Sequence, residues 1–281
     1  MLITITTDFG TRDGYVGTMK GVIAGIAPGV PCIDITHEIP PQDVRSAAYI
    51  LWTALPYFPP ESIHVVVVDP GVGTARRPIA ARTPWGILVG PDNGIFSYVW
   101  EAAPPECIVE LINPAYRNVA VSNTFHGRDI FSPAAAHLAR GVPLTDFGPE
   151  VRDPVRLPAP VLTVGDTIIK GEVIYIDHFG NVITSIGRLV WDGALLTLDP
   201  AFGDAPAGLI NAGRVHVFAA GRDLGPIRHT YGEVSAGEPL ALVGSEGLLE
   251  LAVNRGHGAQ MLGLTPGASV EISLDVFSSR I

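Results

Sequence analysis

Apolar and polar positions along the first half of the chain alternate between two periods. "LITITT" (residues 2–7) is a short β-rich run, and "YVGTMKGVIAGIAPG" (15–29) follows with helical spacing that stops at Gly29. "PCIDIT" (31–36) predicts a second strand. "PQDVRSAAYILWTALPYFP" (41–59) places Val44, Ala47, Ala48, Leu51 and Leu55 on one helical face and ends in prolines. "IHVVVV" (63–68) is continuously apolar, as expected of a strand covered on both faces. "PIAARTPWGILVGPDNG" (78–94) predicts a hairpin, "IFSYVWEAA" (95–103) a short helix, "CIVELI" (107–112) a strand, and "RDIFSPAAAHLARG" (128–141) a helix with Pro133 in its first turn. The pattern implies an α/β layer structure with a largely parallel sheet over residues 1–155.

The character changes near residue 150. "RDPVRLPAPVLTVGD" (152–166) is proline-rich and reads as a linker. Beyond it, "IIKGEVIYID", "NVITSI", "LLTLD", "RVHVF", "PLALVG", "LLELAV" and "SVEISL" are short β-rich runs between turn signals. They predict an all-β domain over residues 165–281, a small barrel or sandwich.

Composition narrows the function. With 281 residues, 47% apolar and 16% charged, there is ample material for two cores. The formal net charge of −10 argues against a nucleic-acid partner, which needs a basic surface. Cys32 and Cys107 are the two cysteines, too few for a disulfide scaffold, so a reducing compartment, the cytoplasm, is expected. "MLITITTDFG" has no basic segment of a secretory signal, and no apolar run approaches the roughly 20 residues that span a bilayer, so no membrane partner is expected.

Ligands of open α/β sheets bind beyond the carboxyl ends of the strands. Asp8, then Asp34, Thr36 and His37, then Asp69, then Asp92 and Asn93 all fall at such ends. Each acid taken singly is as well explained by starting a turn; the set on one rim points to a site. "DFGTRDG" places Asp8 and Asp13 on one loop before a helix, suited to hydroxyl or ammonium recognition. "DPGVGT" lacks the lysine of a phosphate loop. His126 stands just before a helix in "NTFHGRDIF", where a capping or core role competes with a catalytic one. Arg76 and Arg77 alone read as a solvated pair.

Taken in order, "TDFGTRDGYVGTMKG", "HEIPPQDV", "VVVVDPGVGT", "GPDNGIF", "TFHGRD", "IDHFGNVITSI" and "GSEGLLELAVNRG" resemble the S-adenosyl-L-methionine hydroxide adenosyltransferases. These hydrolases are relatives of the fluorinating and chlorinating enzymes that use the same substrate. The resemblance runs from about residue 3 to about 275. It implies an α/β N-terminal domain, a β-barrel C-terminal domain, and a homotrimer with sites between protomers. It also implies hydrolysis of S-adenosyl-L-methionine to adenosine and methionine by attack at the ribose 5′ carbon, with no metal and no cofactor.

The same resemblance implies that Asp69, Arg76 and His126 hold the attacking water, with Arg76 fitting the spacing better than Arg77. The halogenating relatives have tyrosines at the acid and histidine positions. Asp8 matches a position that accepts both ribose hydroxyls. Asp13, Asp177 and Ser245 match positions around the methionine ammonium and carboxylate, and Phe179 and Asn181 the adenine side. Phe9, Asn93 and Glu246 complete the expected substrate-binding set. Two positions depart from the halogenases: Gln42 replaces a tryptophan near the ribose, and Glu246 replaces an arginine near the methionine carboxylate. The competing readings are a metal-dependent hydrolase using Asp8, Asp34, His37, Asp69 and His126, a nucleoside-binding sensor without catalysis, and a weak halogenase.

Overall fold

The computed structural model describes residues 1–274. The chain forms two compact units, Met1–Leu157 and a second beginning at Pro158. Both belong to a mixed α/β fold with several sheets.

The first unit is built on a six-stranded sheet. Its strands are β1 (Ile3–Thr7), β2 (Cys32–Thr36), β3 (Ile63–Val67), β4 (Pro78–Thr83), β5 (Gly86–Pro91) and β6 (Cys107–Glu110), in the order β2-β1-β3-β5-β4-β6. The pairings β1–β2, β1–β3 and β3–β5 are parallel. The β4–β5 hairpin and the β4–β6 pairing are antiparallel. The helices are α1 (Tyr15–Ile26), α2 (Val44–Ala54), α3 (Ser97–Ala102) and α4 (Ser132–Ala139).

Strand β3 shows why an uninterrupted apolar run is needed at the centre. Ile63, Val65 and Val67 enter a core shared with Met19 and Ile23 of α1 and Ala134 and Ala135 of α4. Val66 and Val68 enter a second core with Ala47 and Leu51 of α2 and Val99 and Trp100 of α3. Alternate side chains thus face helices on opposite sides, and each buried valine contributes about 1.5–3 kcal/mol. Helix α2 starts where Asp43 accepts a hydrogen bond from the Ser46 N–H at 3.0 Å, an N-cap worth about 1 kcal/mol. The helix expected over 128–141 opens with a wider π-type turn at Gly127–Phe131 before α4, and Pro133 lies in the first turn of α4.

The boundary between the units falls within 152–166, where a linker is expected. Its backbone is nevertheless held: Val155 N–H donates to Asp92 Oδ1 and Leu157 N–H to Ser97 Oγ. Strand β7 (Leu162–Val164) then pairs with β8 (Ile168–Ile176). Prolines there remove donors but leave the intervening N–H groups to be satisfied. One expectation is corrected: the second unit is not all-β among the described residues, because it contains helix α5 (Gly258–Leu262).

The second unit otherwise has β9 (Val182–Thr184), β10 (Leu189–Asp192), β11 (Leu195–Leu198), β12 (Gly208–Asn211), β13 (Val215–Ala219), β14 (Arg222–Asp223), β15 (Ile227–Arg228), β16 (Pro239–Val243), β17 (Leu249–Val253) and β18 (Ser269–Leu274). One sheet runs β14-β13-β18-β8-β9-β17-β16-β15, with β7 added at β8, and a three-stranded sheet runs β10-β11-β12. Its core gathers Ile169, Val173, Val217, Leu251, Val270 and Ile272. Residues 275–281 of the expected second domain lie outside the described residues.

Candidate active site

The parallel strands β1, β2, β3 and β5 bring Asp8, His37, Asp69 and Asp92 to one rim, and β4, running opposite, starts there just after Arg76 and Arg77. On that rim lies a cavity of about 250 Å³ whose lining includes Asp8, Phe9, Gln42, Asp69, Phe125 and His126. Asp69, on its wall, belongs to a buried ion pair. The Arg76 and Asp69 side chains are 7% and 5% exposed. Arg76 Nε donates to Asp69 Oδ1 at 3.1 Å and its Nη2 to Asp69 Oδ2, a two-pronged contact that fixes both planes. The same Nη2 lies 2.9 Å from His126 Nδ1.

Chemistry settles the roles in that last contact. A guanidinium only donates, so His126 Nδ1 accepts, and the neutral ring carries its proton on Nε2. Burial holds the His126 imidazolium below its ordinary pKa and Arg76 pushes in the same direction, while Asp69, Asp129 and the Ser122 carbonyl pull against them. Arg76 Nη1 is buried and has no protein hydrogen-bond partner among the described residues. A buried donor beside a carboxylate is suited to an oxygen ligand.

The adjacent arginine goes elsewhere. Arg77 Nε donates to Asp92 Oδ2 at 2.8 Å, and Nη1 reaches Asp153 at 2.7 Å. Gly73, at φ +77°, brings the turn after Asp69 against the loop that carries His126, since a Cβ there would overlap the Asn123 carbonyl.

Asp8 Oδ2 accepts from the Gln42 backbone N–H at 2.8 Å, and Gln42 is left-handed at φ +68°. Phe9 forms edge-on ring contacts with Tyr15 and Phe125, which also touch each other. Asp13 is exposed in the loop before α1 and does not line the cavity. Asn93 is spent on backbone: its Nδ2 donates to the Val68 carbonyl and its Oδ1 accepts from Ile95 N–H. Asp34 and His37 form a separate group with Lys20 and Thr7. Burial opposes the Asp34 carboxylate, but bonds to Lys20 and His37 outweigh it and lower its pKa. Among the described residues no cluster of three or more His, Cys, Asp or Glu is arranged to hold a metal ion.

In the second unit, Asp177 accepts from the Phe179 and Asn181 N–H groups and from Asn181 Nδ2, closing a tight turn. Phe179, 73% exposed, and Asn181 line a cleft with Tyr231, Val253, Arg255 and Gly256. Ser245 Oγ donates to Glu246 at 3.2 Å on the exposed turn between β16 and β17. Sequence reasoning missed Thr124, Phe125, Tyr231 and Arg255 as lining residues. Thr124 and Phe125 lay within the quoted "TFHGRD" and Arg255 within "GSEGLLELAVNRG", whereas Tyr231 carried no local signal.

Residues 3–148 match the SAM hydroxide adenosyltransferase N-terminal domain, and residues 171–271 match the C-terminal domain of the same family. The chain is 46% identical over 277 residues to an (R)-S-adenosyl-L-methionine hydrolase of Thermus thermophilus, covering 95% of this chain and 97% of that one. A fluorinase of an Actinoplanes species is more distant, at 27% identity with 97% of each chain covered. A crystal structure of an uncharacterised protein from Thermotoga maritima superposes with a TM-score of 0.84 at 35% identity, over 97% of this chain and 100% of the other. With both domains matched in order and the hydrolase far nearer than the fluorinase, the chain belongs to the SAM hydroxide adenosyltransferase family.

Proposed function

We propose that the protein hydrolyses S-adenosyl-L-methionine to adenosine and methionine at the rim cavity of its first unit. The observation that carries this reading is the buried Asp69–Arg76–His126 bridge, whose acid and histidine line the cavity, in a chain 46% identical to a named hydrolase of this substrate. The relative's name specifies the (R) configuration, so the (R)-sulfonium epimer is the preferred substrate in this reading.

A sulfonium is already a good leaving group, and little acid catalysis is required. The demand is for an oriented oxygen nucleophile in line with the bond from sulfur to the 5′ carbon. In this reading Arg76 Nη1 donates to a water oxygen, and Asp69 accepts its proton as the new carbon–oxygen bond forms and the carbon–sulfur bond breaks. The electron pair of that bond leaves on the methionine sulfur, and adenosine keeps the new oxygen. His126 presents its Nδ1 lone pair to Arg76 and therefore orients the guanidinium rather than taking the proton. Asp8, held by Gln42, serves as the acceptor for the ribose hydroxyls. Asp69 in place of a tyrosine sets a negative charge where a halide would have to sit, which favours water.

Asp177, Phe179, Asn181 and Ser245 supply the adenine and methionine contacts in this proposal, and a homotrimer brings a second unit of one copy to the first unit of another. No helix among the described residues is long and apolar enough to cross a membrane. The compartment we assign is the cytoplasm.

The test is incubation of both sulfonium epimers in oxygen-18 water, with and without chelator, followed by mass spectrometry. Heavy adenosine, unlabelled methionine and indifference to chelator are expected. Labelled homoserine with methylthioadenosine (attack at the methionine chain carbon), a 5′-halogenated nucleoside in excess halide, or loss of turnover with chelator would each overturn the corresponding part.

A further inference from the structure

We infer that Asp129 is the positioning residue of the loop that carries His126, and that it acts on the reaction chiefly by holding that loop. The inference rests on the hydrolase reading above and adds a residue outside the cavity to it.

Asp129 is 1% exposed, two residues into the π-type turn that follows His126. Both carboxylate oxygens are committed. Oδ1 accepts from Asn118 Nδ2 at 3.0 Å and from Arg128 Nε at 2.7 Å. Oδ2 accepts from the Ser122 backbone N–H at 2.9 Å and from Arg128 Nη2 at 2.9 Å. The Asp129 carbonyl accepts from Asn118 N–H at 2.9 Å. One side chain therefore pins the loop at residues 118 and 122, and Ser122 passes the constraint on by accepting from Phe125 N–H at 3.0 Å. The Arg128 guanidinium that pairs with Asp129 also covers the Phe125 ring at 5.1 Å.

What the pinned loop delivers is Thr124, Phe125 and His126 to the cavity wall, and the Asn123 carbonyl to the close contact with Gly73 in the turn after Asp69. The carboxylate and the ring are three residues apart, but the π-type turn between them widens the helical path and separates their directions. An acid at this depth is costly unless every lone pair is used. Burial opposes ionisation, yet the bonds from Arg128, Ser122 and Asn118 hold the carboxyl well below the usual carboxylate range. It is thus a fixed anion rather than a titrating group. It touches neither the cavity nor Asp69 or Arg76; it acts on the site by placing the loop, above all the His126 ring against Arg76, and by its charge, which favours the His126 imidazolium.

Asp129→Asn removes the charge and reverses one acceptor into a donor facing other donors. In the wild-type background kcat should fall about tenfold to a hundredfold with KM little changed, the scale expected when a group slips by about an ångström. In a His126→Ala background the same change should cost less than about twofold, because the route is already cut. Independently of turnover, the His126 ring in histidine-labelled protein should titrate nearer its ordinary value in Asn118→Ala, which loosens the loop but keeps the Asp129 charge; in Asp129→Asn the lost charge pulls the other way, and a fall further below the ordinary value with no shift in Asn118→Ala would mean that the acid acts by charge and not through the loop. If Asp129→Asn fails to fold, Asn118→Ala removes one tether and leaves the Arg128 pair; it should show the same kinetic pattern at smaller size. Wild-type kcat with an unmoved His126 titration in folded Asn118→Ala, or an equal loss in both backgrounds, overturns the inference. Absence of adenosine from the wild-type enzyme would instead refute the hydrolase reading, while the titration would still report on the loop.

Discussion

Arg76→Lys separates the geometry of the guanidinium from its charge. Truncation to alanine would leave Asp69, at 5% side-chain exposure, as a buried unpaired anion, a cost of about 3–5 kcal/mol that confuses folding with catalysis. Lysine keeps the positive charge. It cannot keep the planar fork that reaches both Asp69 oxygens and His126 Nδ1 together. At best one of those three contacts survives. Two charge-assisted bonds lost at about 1.5–3 kcal/mol each amount to roughly 3–6 kcal/mol of site organisation. If half of that is felt in the transition state, the barrier rises by roughly 1.5–3 kcal/mol and kcat falls about 10- to 150-fold. KM should change little, because Asp8 and the aromatic wall are untouched. The assay is adenosine release under saturating substrate, alongside a thermal melt to establish folding. A folded Arg76→Lys enzyme within twofold of wild-type kcat would refute the claim that the fork, rather than a positive charge, orients the nucleophile.

The rim makes further predictions away from the chemistry. His64 is fully buried, with Nε2 donating to the Trp85 carbonyl at 3.1 Å and Nδ1 accepting from the Thr4 hydroxyl at 2.8 Å, and burial lowers its pKa to about 4. Between about pH 6.5 and 4 the unfolded ring binds a proton that the folded ring refuses, so stability should fall as pH falls through that window, by roughly 3 kcal/mol in all. Urea midpoints at several pH values should show the slope, His64→Gln should flatten it, and an unchanged slope in that variant would count against the assignment. Gln42→Gly should keep the N–H bond to Asp8 and relieve the left-handed backbone, leaving stability within about 1 kcal/mol of wild type because glycine also loosens the unfolded chain. Gln42→Pro loses that N–H and cannot hold φ +68°, so KM should rise about tenfold or more; an unchanged KM would remove Gln42 from the ribose subsite.

Much of the first unit was legible because its signals are local. "IHVVVV" needs helices on both faces, and β3 has them, with odd- and even-numbered residues entering different cores. In the second unit β14 and β15 escaped notice because each is two residues long, and β12 because it begins at a glycine. The prolines of 152–166 mark the boundary between the units, yet the N–H groups left between them are bound, to Asp92 and Ser97. Asn93 sat at a strand end like Asp69, but its amide is consumed by the backbone at Val68 and Ile95. No residue type distinguishes those two fates; only the direction of the turn does.

The two arginines show what a sequence can decide when a period is known. Arg76 and Arg77 immediately precede β4, which starts at Pro78, and neighbouring side chains entering a strand point to opposite sides. One of them must face the end of β3 and the other must not. Arg76 turns to Asp69 and His126, and Arg77 to Asp92 and Asp153. A one-residue slip of β4 would put Ala75 or Arg77 where Arg76 stands, and the pair with Asp69 would be lost or remade. The spacing between acid and arginine is therefore fixed by the pleat of β4 as much as by the chemistry. His126, fifty positions further on, reaches the pair only through the loop clipped to Asp129, which no local pattern announces.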